Sequence, residues 1–281
     1  MSQAELTRYH LKPGTYLLPL VVLVAVYLPT LYDLVIDLAA DANYSHGIQI
    51  PIVSFYLIWI RRKELAATTM KSGPAGLVVI ILGLVLFVAG TAAAEYFTAR
   101  LSFVILLLGL TWYLFGGEIV RRTWFAFFFL CFMIPIPYVV YFAVAFPLQV
   151  AATKITVGVL STIGMEVIRQ GNIIHLAGGR ALEVAEACSG IRSLIALFAI
   201  GAMWAYLFQK NLIGQIVLFL STVPIAVFAN VVRVLITVMI VATVTDKVTD
   251  EPLHTILGLS VFVVEFIGLF IIGSILRKVF R

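Results

Sequence analysis

Charge is what this chain of 281 residues has least of: 12% of its residues are Asp, Glu, Lys or Arg, while 62% are hydrophobic. Ordinary soluble domains carry about twice that charge, so the shortage excludes a soluble protein. Cysteine is scarcer still, at two residues, Cys131 and Cys188. That excludes a disulfide framework and a cysteine-rich metal site. Histidine is limited to four residues, and His46, His175 and His254 show no ligand spacing with one another, so neither a metal nor a cofactor is expected. The first apolar stretch lacks a small-residue cleavage site and is read as an uncleaved anchor.

What the chain does have is long apolar runs, at 16–38, 48–60, 75–94, 101–115, 125–146, 189–208, 212–244 and 255–276. At about 20 residues per crossing, they predict an all-α polytopic membrane protein of about eight transmembrane helices, a single domain over residues 1–281. The formal charge of +5 is no nucleic-acid footprint, because the basic residues sit in short clusters between apolar runs. Arg8 and Lys12, Arg61 to Lys63 with Lys71, Arg121 and Arg122, Lys210, and Arg277 with Lys278 and Arg281 mark every second loop. Asp37 and Asp41, Glu95 with Arg100, a long mixed segment, and Asp246, Lys247, Asp250 and Glu251 mark the alternate ones. The positive-inside rule then predicts both termini cytoplasmic and the acidic loops outside. The one long connection, 147–187, is expected outside as an extracytoplasmic insertion. An interfacial amphipathic helix over 151–165 and a short β-hairpin around Gly178-Gly179 would deliver Cys188 to the outer end of the sixth helix.

Helical rise gives depth. Counting about 20 residues from the inner end of the seventh segment at Leu212 brings Asn230 and Arg233 to the outer boundary. His254 opens the eighth segment on that same side. Cys188, Arg233 and His254 are therefore expected at one depth on one face. A thiol beside an imidazole at a helix start is a nucleophile with its base, and an arginine there stabilises a developing oxyanion. Each residue alone has a plainer reading: a small buried hydrophobe for Cys188, a cation snorkelling to headgroups for Arg233, a helix cap for His254. Their shared depth favours cysteine acyl transfer. Cys131 falls near the inner side, so no disulfide to Cys188 is expected.

Glu186-Ala187-Cys188-Ser189-Gly190-Ile191-Arg192-Ser193, Asn230-Val231-Val232-Arg233 and His254-Thr255-Ile256-Leu257-Gly258 resemble the three motifs of the exosortases, EpsH-type bacterial membrane enzymes with archaeosortases as archaeal relatives. Tyr44-Ser45-His46-Gly47 and Met133-Ile134-Pro135-Ile136-Pro137 resemble further features of that family. The resemblance implies a cysteine protease or transpeptidase of the bacterial inner membrane. Its partners would be membrane lipids and secreted proteins whose C-terminal tail carries a short PEP-CTERM-like motif, a transmembrane helix and a basic cluster. By the same resemblance Cys188 is the nucleophile, Arg233 the oxyanion stabiliser and His254 the general acid/base, with possible transfer to a cell-envelope acceptor.

Glu186, Ser189, Arg192 and Asn230 are supporting or substrate-binding candidates, Glu186 and Arg192 being free to pair with each other as well. His46, expected outside, lines the same cleft or is an interfacial loop residue. Glu265 lies roughly 16 Å down the last helix from His254, costly in lipid; a hydrogen-bonded structural role is expected first and recognition of a substrate helix second. Pro135, Pro137 and Pro224 predict kinks. Two other classes stay open: a transporter or channel built on Arg233, Glu265 and broken helices, and an envelope-assembly scaffold.

Overall fold

The computed structural model describes residues 13–41, 43–177, 179–184, 191–243 and 253–280, with side chains described from 17, 193 and 256 onward in the helices that open at 13, 191 and 253. The chain divides into two compact units, Met1–Ile136 and Pro137–Arg281.

The first unit holds α1 (Pro13–Ala40), a 3-10 turn (Ser45–Gln49), α2 (Ile50–Trp59), α3 (Arg62–Ala66), α4 (Ala75–Ala92), α5 (Tyr96–Phe115), α6 (Gly117–Leu130) and a second 3-10 turn (Cys131–Met133). Glu95 caps α5, its carboxylate accepting from the backbone N–H groups of Phe97 and Thr98 at 3.1 and 2.7 Å. Gly76, Gly83 and Gly90 then seat α4 directly on α5, the small-residue contact that packs helices in lipid. Tyr27 of α1 hydrogen-bonds Ser102 of α5 at 2.6 Å, and Arg100 pairs with Asp37. Near the opposite end of α5, Arg61 donates to the Arg122 carbonyl at 2.9 Å and Arg122 pairs with Glu64 and Glu118. Acidic and basic loops therefore separate to the two ends of the unit, as the loop charges predict.

The second unit holds α7 (Tyr138–Thr162), strands β1 (Val167–Gln170), β2 (Ile173–Leu176) and β3 (Ala181–Glu183), then α8 (Ile191–Phe208), α9 (Leu212–Thr243) and α10 (Leu253–Val279). The strands form one antiparallel sheet in the order β1-β2-β3, with Gln170 opposite Ile173 and His175 opposite Ala181. Leu160, Ile174, Leu176, Val184, Val234, Val238, Val241 and Leu257 make one buried cluster, which fastens the sheet to α7, α9 and α10. Leu194, Leu197, Leu218, Ile225 and Leu269 make a second, with Leu148 packed on it. α7 thus runs alongside α9 in the same direction. At the far end from the sheet, Gln209 donates to the Gly273 carbonyl at 2.8 Å, and Arg277 stacks on Phe208. One end of this unit is basic and the other carries the sheet.

The helical membrane class holds, and the details change it. Among the described residues six helices are long and apolar enough to cross a membrane, and Ser193–Phe208 is a shorter apolar one; the expected count of eight is not confirmed. α2, at 10 residues, rises about 15 Å, half a hydrocarbon core. The segment expected as one helix over 125–146 is broken, because Pro135 and Pro137 remove backbone donors and push the preceding residues out of helical geometry; Ile134 is extended. The insertion expected from 147 begins later, at about 163, since α7 runs unbroken through Pro147. Of the polar residues in 151–165, Thr153 and Thr156 are buried while Lys154, Ser161 and Thr162 are exposed beside the apolar Ile155 and Val159, and Gln149 of the same helix is buried. The expected hairpin becomes three strands, because Gly171, at φ +64°, opens a two-residue turn within what reads as a single run.

Candidate active site

α9 carries Asn230 and Arg233 on successive turns. Asn230 is 2% exposed, and its Oδ1 has no hydrogen-bond partner among the described residues. Arg233 is half-buried. Its guanidinium reaches α10: a Cβ placed on Gly258 would sit 3.9 Å from Nη2 of Arg233. His254 lies in the first turn of α10, four residues before Gly258, hence on the same helix face about 6 Å along it. Two of the three motif stretches, from α9 and α10, therefore meet at Arg233 and Gly258. The His254 side chain lies outside the described residues, as does that of Arg192, whose backbone opens α8.

Glu186, Cys188 and Ser189 also lie outside the described residues. Val184, 2% exposed, belongs to the cluster with Val234, Val238 and Leu257, one turn from Arg233. Ser193, 6% exposed, opens the buried face of α8, and Glu265 of α10 is fully buried with no hydrogen-bond partner for either carboxylate oxygen among the described residues. Leu257 and Glu265 stand eight residues apart, about 12 Å of helix. On the near side of the Cys188 stretch Val184 packs on α9 and α10, and on the far side Leu194 of α8 packs on the same two helices.

The sheet holds the near side. Arg180 donates to the carbonyls of Val241 and Ala242 at 2.7 and 3.4 Å, satisfying the end of α9 with a cation where the helix dipole favours one. Asn172 and Val184 exchange backbone contact, Val184 N–H to Asn172 carbonyl at 2.9 Å, and the Asn172 amide donates to the Val184 carbonyl at 3.3 Å. Sequence reasoning missed Arg180 and Asn172; the only signal was their place beside glycine turns.

His46 belongs to the first unit. Its Nε2 is buried without a hydrogen-bond partner among the described residues, and burial holds its pKa below the usual imidazole value. Beside it Tyr44 is 6% exposed, and burial pushes its phenol up to about 12. Gly47 sits against Leu38 and the Met133 carbonyl. The two accessory stretches singled out in the sequence, at 44–47 and from 133, therefore meet within this unit. Cys131 is a half-buried free thiol. Among the described residues no group of three or more His, Cys, Asp or Glu side chains is placed to hold a metal.

The family model described as transmembrane exosortase (Exosortase_EpsH) matches residues 38–271. No curated protein and no solved structure matches the chain.

Proposed function

Because the chain belongs to the transmembrane exosortase family, we propose that it is a membrane cysteine protease or transpeptidase that removes the C-terminal sorting tail of secreted proteins. The observation that carries this reading is the Arg233 guanidinium against Gly258, one helical turn from His254. In the proposed reaction the Cys188 thiolate attacks the scissile carbonyl carbon, and Arg233 stabilises the oxyanion. His254 gives its proton to the leaving nitrogen as the C–N bond breaks. The tail departs with a free amine, and the released protein remains as a thioester on Cys188. Water, or an acceptor amine or hydroxyl of the cell envelope, then attacks the thioester, and the thiol is regenerated.

The proposed site faces outward from the bacterial inner membrane, because the second unit's opposite end carries Lys210, Arg277 and Lys278 and basic ends stay inside. Asn230, Glu186, Ser189 and Arg192 would orient the nucleophile or bind the motif that precedes the tail.

Co-expression with a tail-bearing substrate tests the reading. The substrate should shorten with the native enzyme and keep its full length with Cys188→Ala; shortening that persists in Cys188→Ala refutes the proposal. That same persistence would favour a transporter or scaffold.

A further inference from the structure

The sheet of the second unit has two outer strands, β1 and β3, and among the described residues no strand pairs beyond either. Antiparallel strands turn the N–H and C=O of successive residues alternately to one side and the other, so register shows which groups face outward. The Leu176 N–H donates to the Arg180 carbonyl at 2.8 Å and the Val184 N–H to the Asn172 carbonyl at 2.9 Å, with Leu182 opposite Ile174 between them. Arg180, Leu182 and Val184 therefore bond to β2. Ala181 and Glu183 turn their backbone groups away from it, and both residues are exposed.

The two edges are not equivalent. On β1 the two-residue turn at Gly171-Asn172 closes on Gln170 and Ile173, a hydrogen-bonded pair, so Val167 and Arg169 face outward. Arg169 is exposed and donates to the Gly171 carbonyl at 2.9 Å; a long cation on an outer strand guards it against pairing. β3 instead offers Ala181, whose methyl obstructs little, and Glu183, whose carboxylate accepts from the Asn172 amide at 3.3 Å. This open edge is also the one that runs on toward the cysteine. It starts where Arg180 bonds the end of α9, and Val184 after it packs with Val234 and Leu257. Glu183 precedes Cys188 by five residues, so the two stand within about 18 Å of each other on any path.

Outward N–H and C=O groups two residues apart match one chemistry, the backbone of an extended peptide. A helix cannot supply it, because its N–H and C=O groups are already bonded to one another. We propose that the free edge of β3 binds, by strand addition, the extended segment that precedes the tail helix of a secreted substrate, with backbone pairs at Ala181 and Glu183. A segment of about five residues spans about 17 Å, enough to carry a peptide bond from that edge to the cysteine. The residue beside Leu182 shares the face that Leu182 packs on the Val184 and Leu257 cluster, so that position selects an apolar side chain. This inference rests on the reading of the chain as a tail-removing peptidase and adds where the substrate docks.

The test uses the full-length protein in detergent, with the tail-bearing substrate of the co-expression assay. Ala181→Pro and Glu183→Pro each remove one outward N–H and leave the bonds to β2 in place. Each should raise KM by about two-fold to ten-fold, with kcat within about two-fold and Tm unchanged. Arg169→Pro, the same lesion on the free edge of β1, should leave KM at its native value. Binding of the substrate to Cys188→Ala protein, which needs no turnover, should weaken in Ala181→Pro by the same factor as KM rises. Substrates in which one backbone N–H at a time is replaced by an ester oxygen, ahead of the tail helix, should lose affinity at every second position, the period of a strand. Native KM in folded Ala181→Pro and Glu183→Pro, or an equal rise in Arg169→Pro, overturns the strand site. If the proline variants do not fold, an ester series on the native protein without that period overturns it instead. A flat ester series beside an inactive Cys188→Ala removes strand addition alone; an active Cys188→Ala removes both readings.

Discussion

The α4–α5 pair and the α9–α10 pair both pack through glycine, and they use it for opposite ends. On α4, Gly76, Gly83 and Gly90 recur every seven residues and bring α4 onto α5: Gly76 meets the backbone of Tyr113 and Gly109, and a Cβ on Gly90 would lie 2.6 Å from the Ala99 nitrogen. On α10, Gly258, Gly268 and Gly273 meet side chains, namely Arg233, Ile225, and Leu218 with Trp204. In the first pair glycine lets two backbones touch, which maximises dispersion where lipid offers no hydrophobic drive. In the second it clears room for a side chain, and at Gly258 that side chain is a guanidinium. Between α1 and α5, Tyr27 hydrogen-bonds Ser102 and Asp37 pairs with Arg100, with Arg100 Nε left without a partner among the described residues; on α9 and α10, Asn230 Oδ1 and both Glu265 oxygens are left likewise. The two pairs differ in what their glycines admit: backbone in the first, and at Gly258 a half-buried arginine in the second.

The largest expected effect breaks the first side of this contrast. Gly76→Val puts a branched side chain into the Tyr113 and Gly109 backbone, which no rotamer relieves, and overpacking of this kind costs about 1–3 kcal/mol or more. We expect loss of the monodisperse peak on size exclusion in detergent, or a lowered Tm. Native behaviour of Gly76→Val would show that the α4–α5 contact is looser than its geometry. On the other side, Gly258→Ala should be tolerated, since 3.9 Å from Nη2 of Arg233 is ordinary van der Waals contact. Gly258→Leu should crowd the guanidinium and lower substrate processing by about 10-fold, with Tm unchanged, approaching the loss of about 100-fold to 1,000-fold expected for removing an oxyanion donor in Arg233→Ala. Equal loss of Tm in Gly258→Leu and Gly76→Val would erase the distinction between the two pairs.

Legibility in the sequence follows the same physics. α1, α4, α9 and α10 were readable because an apolar run bounded by charge has few alternatives in 281 residues with so little charge. α7 was not: Pro147 looks like the end of an apolar run, and the helix continues through it to Thr162. Membrane helices can be amphipathic with the polar stripe inside, and the periodicity alone cannot say which solvent each face meets. The Arg233–Gly258 contact was hidden for a related reason. Both residues stood in recognisable motifs, but the side chain that glycine makes room for is a fact of helix register, and the spacing between α9 and α10 does not encode it.

The smallest expected effect belongs to the first unit, at the Tyr44–His46 turn. His46 is held below its usual pKa by burial, with no partner for Nε2 among the described residues. The unfolded chain therefore binds a proton more readily than the folded one. Above the ordinary imidazole value near 6.5 both states are neutral and the full stability is present; as pH falls below it the unfolded state gains protons first, and stability declines until the folded pKa is reached. Tyr44, pushed up to about 12, stays neutral throughout this range and contributes nothing to the slope. Native protein in detergent should thus lose Tm between about pH 7 and pH 5, and His46→Gln should flatten that decline without moving the Tm measured at pH 8 by more than a few degrees. A native slope in His46→Gln would mean that the acid sensitivity lies elsewhere.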